Sequence, residues 1–246
     1  EPYIAYSDYE TVGGFPFAGR VTVWRYGDGS GGVKWHPVDD TGTGGVTASA
    51  NYVSFAFNPY DNKPYIAYSD EGASDKITVM RYDGSGSATG WNVLGSRGFS
   101  TTIYPMSSSL AFSSTTHEPY VAYAEYDTGV TSIKSVVKLF NGTSWDTVGT
   151  ERFSSGDVAY LTIAVSPTTG EPYVAYKDTS AGSKITVQRF NGTSWTTVGT
   201  AGFSYGTSTI DGLKILFHAS SSLPYVAYEG GVMKFDGSTW VPVGSQ

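Results

Sequence analysis

Acidic residues return at one place along this 246-residue chain. Asp8, Asp70, Glu125 and Asp178 each end a short tyrosine-rich segment, and Glu229 arrives one place early. Carboxylates gathered on one face can bind a hard cation, accept hydrogen bonds from a sugar, or act as the paired acids of a glycoside hydrolase. The spacing also has a plainer meaning. Where the acid is in register, a basic residue opens the next segment, at Arg20, Lys76, Lys134 and Lys184; the fifth copy, Glu229-Gly230-Gly231, has lost both. Acid and base that come and go together read as a cross-strand pair at a hairpin mouth, worth about 0.2–1 kcal/mol. A glycosidase needs two such groups about 5–9.5 Å apart. The apolar segments 52–57, 107–112 and 160–165 that would line its site hold no acid, which leaves Asp157 and Asp211 just ahead of theirs.

Other chemistry is harder to place. His36, His117 and His218 each sit in or beside a turn with no His or carboxylate at ligand spacing, so no metal site is expected. There is no G-x-S-x-G, no phosphate-binding loop and no dinucleotide fingerprint. The run from Asp28 to Gly32 is glycine-rich but lies between two strand-like segments and reads as a hairpin loop. Cysteine is absent, which removes thiol catalysis, thiolate metal sites and disulfides. The chain reads as a non-enzyme without a cofactor.

Aromatic side chains outside the regular pattern are the better binding candidates. The long segment from Ser7 to Gly19 carries Asp8, Tyr9, Phe15 and Phe17. Phe99, Phe153 and Phe203 each follow the Gly or Arg of a G/R-F-S motif; Tyr52, Tyr104, Tyr160 and Tyr205 lie nearby at unlike offsets. Rings beside carboxylates and amides suit sugar stacking and peptide contacts equally. For Phe15 and Phe17 the alternative is a plug folded onto the core. Asp8, Tyr9, Phe15, Phe17, Phe99, Tyr104, Phe153, Tyr160, Phe203 and Tyr205 are therefore the candidate ligand-binding residues.

The elements that must hold these residues are repeats. PY-x-AY begins at Pro2, Pro64, Pro119, Pro172 and Pro224, in steps of 62, 55, 53 and 52 residues. A Trp after a Gly/Ser/Thr-rich turn recurs at 35, 91, 145, 195 and 240. Each unit reads as four short strands: an apolar run, PY-x-AY with proline at its entrance, a K-I-T-V-type strand, and a short strand opening on the Trp. Phe140-Asn141-Gly142, Phe190-Asn191-Gly192 and Phe235-Asp236-Gly237 supply the residues of tight hairpins. No sustained 3.6-residue period appears, so almost no helix is expected. Four-stranded units about every 50 residues predict a five-bladed β-propeller of antiparallel blades in a single domain, with a β-solenoid as runner-up. The blades fall at 1–45, 46–99, 100–152, 153–203 and 204–246. The two tyrosines of each PY-x-AY strand are read as inter-blade packing, and the repeated Trp as packing beside its turn.

The order "apolar run, turn, PYVAY, acid, K-I-T-V, R-F, N-G-T-S-W, V-G" is similar to the NHL-type grammar of propeller blades. It resembles more closely the PYVAY-type repeats of bacterial secreted and surface proteins. In blade number and Gly-Trp richness it is also similar to tachylectin-like five-bladed lectins. These resemblances cover the whole chain and imply the propeller fold; activity is left open, because propellers host many functions. The inner apolar strand occurs four times, against five for each of the others, giving 19 strands and a first blade without its innermost one. The unpaired edge of residues 2–6 is then a template for another strand. A longer natural chain, the Phe15–Phe17 loop or a neighbouring subunit could cover it, the last giving a structural or filament-forming protein.

Composition narrows the partners. Charged residues are 15% and aromatics 15%, with 31 Gly; net charge is −7. An acidic chain lacks the basic face that nucleic acid requires. No apolar run approaches the ~20 residues of a spanning helix. The chain starts at Glu1 rather than Met and reads as processed or cut from something longer. The expectation is an extracellular or cell-surface recognition module for glycan or a surface protein. Asn141 and Asn191 head N-glycosylation sequons, which would carry glycans in a eukaryotic source and be plain hairpin turns in a bacterial one.

Overall fold

The computed structural model describes residues 1–8, 11, 12, 15, 16, 19–29, 32–38, 50–84, 89–102, 105–127, 129, 131–205 and 212–244. They are all-β, apart from two single 3-10 turns at Glu71–Ala73 and Thr179–Ala181. The first sheet has three strands in the order β1 (Tyr3–Asp8), β4 (Arg20–Gly29), β5 (Gly32–Pro37), and β2 (Thr11–Val12) and β3 (Phe15–Pro16) form a separate two-stranded ribbon. Four antiparallel four-stranded sheets follow, each in chain order. The second contains β6 (Ala50–Phe57), β7 (Pro64–Asp70), β8 (Lys76–Tyr82) and β9 (Trp91–Val93). The third contains β10 (Ser107–Phe112), β11 (Pro119–Asp127), β12 (Ser132–Phe140) and β13 (Trp145–Thr147). The fourth contains β14 (Val158–Val165), β15 (Pro172–Asp178), β16 (Lys184–Phe190) and β17 (Trp195–Thr197). The fifth contains β18 (Lys214–Phe217), β19 (Pro224–Tyr228), β20 (Gly231–Phe235) and β21 (Trp240–Pro242). Among the described residues β1 has no strand partner on its outer side, and Ile4 and Tyr6 there are exposed.

The chain divides into two compact units, Glu1–Pro105 with the first two sheets and Met106–Gln246 with the other three. Within each unit the core lies between successive sheets. Val21 and Val23 meet Ile66, Tyr68 and Trp91; Val137 meets Ile163 and Val174; Val187 meets Ile215, Val226 and Met233. A strand covered on both faces needs no polar alternation, which is why β7 is buried along its whole length. Four of the PY-x-AY tyrosines pack as expected, Tyr65, Tyr68, Tyr123 and Tyr176 being almost fully buried, whereas Tyr6 of the first copy is exposed and Tyr3 only partly covered.

The repeated Trp does more than fill space beside its turn. Trp91 Nε1 donates to the Val38 carbonyl at 2.6 Å, Trp195 Nε1 to Val148 at 2.9 Å and Trp240 Nε1 to Val198 at 2.8 Å. Each indole thus bonds the sheet before its own. The Asn-Gly and Asp-Gly turns close as expected, with Asn141, Asn191 and Asp236 Oδ1 each accepting two following backbone N–H groups. Asp236 is held below the ordinary carboxylate range by the N–H groups of Thr239 and Ser238. The first-to-second-strand loop repeats as well, with a left-handed residue at Asn62, His117, Gly170 and Ser222. His117 is a turn residue.

Candidate functional site

The same loop builds a groove at equivalent places in each unit. The larger, about 500 Å³, lies between the first and second sheets. Tyr3 and Arg25 line it from the first sheet; Phe57, Lys63, Tyr82 and Asp83 line it from the second. Tyr3 and Phe57 meet edge to face with centroids 4.7 Å apart, so the aromatic wall is fixed by packing. The rim is an ionic network. Asp83 accepts from Lys63 Nζ, from Arg81 Nη2 at 3.1 Å and from Asn92 Nδ2 at 3.3 Å. Partial burial pushes the Asp83 carboxyl up, but Lys63 and Arg81 outweigh it and hold the group below its ordinary value. Arg25 pairs with Glu1 at 3.1 Å across a solvated edge.

A second groove, about 350 Å³, lies between the third and fourth sheets. Tyr120 stands where Tyr3 stands, Glu171 where Lys63 does, Phe190 in place of Tyr82, and Asn191 in place of Asp83. Glu171 pairs with Arg189 at 3.3 Å. Among the described residues each groove is lined by a single carboxylate, so neither holds two acids. Aromatic walls with a hydrogen-bonding rim are equipment for holding a ligand. Sequence reasoning missed these residues because the first tyrosine of PY-x-AY was assigned to packing. The signal was present in the variable positions: from the second repeat on, the residue before the PY (Lys63, Glu118, Glu171, Leu223) and the one after the third strand (Asp83, Asn141, Asn191, Asp236) change while their frame stays fixed.

The sequence candidates disperse. Tyr9, Phe17, Tyr104 and Asp211 lie outside the described residues, and of Asp8 and Phe15 only the backbone is described: Asp8 pairs with Arg20, and Phe15 belongs to β3. Phe153 stacks on Trp195 at 4.1 Å and 8°, and Phe203 on Trp240 at 4.3 Å and 8°, both in inter-sheet contacts. Phe99 is half-buried, its N–H donating to the Ile77 carbonyl. Tyr160 and Tyr205 are exposed, and Tyr205 N–H donates to the Tyr228 hydroxyl at 3.1 Å.

Asp70, Glu125 and Asp178 of the carboxylate row are structural, but with other partners than their spacing implied. Asp70 and Lys76 are cross-strand neighbours, as are Glu125 and Lys134, and Asp178 and Lys184. The charges nevertheless pair elsewhere. Asp70, almost fully buried, takes both arms of Arg97 at 2.6 and 2.7 Å and the Thr78 hydroxyl at 2.9 Å. Buried Glu125 pairs with Arg152 at 3.1 Å. Lys134 instead donates to the carbonyls of Ser154, Ser155 and Gly156. A planar guanidinium fits a buried carboxylate in two-pronged fashion, which a single ammonium does not match. Asp178 is satisfied by Ser180 and Thr186, because Ala201 stands where the second sheet has Arg97.

No family model and no curated protein sequence matches the chain. Solved structures do. Aleuria aurantia lectin, as a single-residue mutant with α-methyl-L-fucoside, aligns at TM-score 0.61 and 13% identity over 99% of this chain and 77% of that one. The same mutant lectin with Fucα1-6GlcNAc aligns at 0.59 and 12% identity, over 92% and 72%. AofleA from Arthrobotrys oligospora aligns at 0.55 and 10% identity, over 92% and 66%. At these identities the likeness is one of fold.

Proposed function

We propose that the chain is a non-catalytic carbohydrate-binding module of the cell exterior, its five sheets the five blades of a propeller. The observation that carries the reading is the recurrence of one groove at equivalent inter-sheet positions. A frame kept constant with a rim that varies is the pattern of a multivalent binder whose subsites differ. The fold likeness to a lectin solved with fucosides supports the ligand class. Sugars would lie against Tyr3 in one groove and against the partly exposed Phe190 in the other, where Tyr120 is buried in the wall behind, with Arg25, Lys63 and Asp83 or Glu171 and Asn191 reading hydroxyls. A glycan array followed by calorimetry on the best glycan tests this. Tyr3→Ala and Glu171→Ala should each weaken binding about tenfold at one class of site. Absence of binding to any glycan, or binding indifferent to both substitutions, overturns it.

A further inference from the structure

The second and fourth sheets share a device that the third lacks. In β6, Ala50 and Asn51 pair with Asp70 and Ser69, and pairing resumes at Ser54 with Ala67, leaving Tyr52 and Val53 opposite Tyr68 alone. In β14, Val158 and Ala159 pair with Asp178 and Lys177, and pairing resumes at Thr162 with Ala175, leaving Tyr160 and Leu161 opposite Tyr176. The third sheet runs from Ser107 to Phe112 without a shift. These are β-bulges, and the first residue of each is a tyrosine at φ +52°. That left-handed conformation suits glycine or asparagine; a bulky side chain there is strained.

Burial does not compensate the strain. The second bulge residue faces the core, with Leu161 buried and Val53 packed against its cluster, while Tyr52 remains 52% and Tyr160 46% exposed. Strain held at an exposed aromatic, twice and at equivalent positions, is expected where the side chain serves a partner. The ladder on both sides pins each bulge, so the tyrosines stand on rigid backbone. Polar groups belong to the same strand ends: Asn51, next to Tyr52 in the chain, donates through Nδ2 to Glu71 Oε1 at 3.2 Å, and Thr179 Oγ1 accepts from the Asp157 N–H at 2.9 Å just ahead of β14. Both bulges lie at the strand ends opposite the grooves.

We infer that Tyr52 and Tyr160 are stacking platforms for pyranose rings, a second class of subsite separate from the grooves. The ligand class rests on the proposed carbohydrate function. A flat, exposed aromatic face matches a sugar's apolar face, and the polar groups of the same strand ends match its hydroxyls in chemistry. Nucleobases also stack on tyrosine, but a chain of net charge −7 repels their phosphates.

The test is titration of ring-labelled tyrosine protein with methyl pyranosides (fucoside, galactoside, glucoside, mannoside and N-acetylglucosaminide), read by NMR. Signals of Tyr52 and Tyr160 should shift, and should still shift in the Tyr3→Ala and Glu171→Ala proteins. Tyr52→Gly and Tyr160→Gly should hold or raise the melting temperature while weakening apparent affinity about two- to tenfold; Tyr→Asn variants should behave alike. A fall of several degrees in melting temperature in both the Gly and Asn variants would mark the rings as packing and overturn the inference. Groove shifts with silent Tyr52 and Tyr160 would overturn it alone, whereas silence everywhere would remove the carbohydrate reading too.

Discussion

Equivalent tyrosines meet unlike partners, and the difference sets what each hydroxyl is worth. Tyr176 donates to Gln188 Oε1 at 2.7 Å and Tyr68 to Met80 Sδ at 3.2 Å. Tyr123, at 0% exposure, has a hydroxyl with no hydrogen-bond partner among the described residues. A buried polar group left unpaired is a liability, whereas a satisfied one contributes about 1 kcal/mol. Tyr123→Phe should therefore leave stability unchanged or raised, and Tyr176→Phe should cost about 1–2 kcal/mol by orphaning the Gln188 amide oxygen. Urea unfolding of the two variants checks the contrast; equal losses would mean that Tyr123 finds a partner in solution.

At the scale of the element, the V-G that ends the third and fourth repeats explains itself only through the next one. Gly199 has φ +69°, and a Cβ there would sit 3.0 Å from the rings of both Phe235 and Trp240. Gly192 also has a positive φ, but among the described residues nothing lies within 4 Å of its Cβ position. Gly199→Ala should cost about 2–4 kcal/mol, backbone strain plus displacement of the next sheet's indole, against about 1 kcal/mol for Gly192→Ala, by thermal unfolding. Strands and hairpins were legible in the sequence because each repeat states the same pattern again. The bulges were not, because register is a relation between two strands; Tyr52 and Tyr160 looked unrelated although each lies twelve residues before its Pro. The Arg97 and Arg152 pairs were hidden similarly. Lysine was the sequence-level cross-strand partner, and only the fold brings the loop after the fourth strand onto the acid. The grooves draw on residues roughly sixty positions apart.

For the whole molecule, stability should form a plateau bounded on both sides by titration. Burial raises the hydroxyls of Tyr65, Tyr68, Tyr120, Tyr123 and Tyr176, with Asp70 adding to the effect at Tyr68, Glu125 at Tyr123 and Asp178 at Tyr176. A raised folded value gives stability that is complete below the ordinary pKa near 10 and is lost as pH climbs past it. Asp83 and Glu151 run the other way. Burial pushes each up, but Lys63 and Arg81, or Lys138, hold it below its ordinary value, so their contribution is present above pH about 4 and fades beneath it. Melting temperature should be flat from about pH 5 to 9, with phenolate absorbance at high pH appearing only as the protein unfolds; ionisation of these tyrosines in the folded state would refute the account. The tryptophan bond has a consequence at this scale. Its two halves differ, a donor on the front of one repeat and an acceptor on the back of the one before, so any copy can follow any other. Among the described residues nothing in that joint counts how many copies have been strung together. At the three joints where it is described, loss or duplication of a unit would leave the same kind of donor facing the same kind of acceptor, so the bond alone does not set the number of sheets.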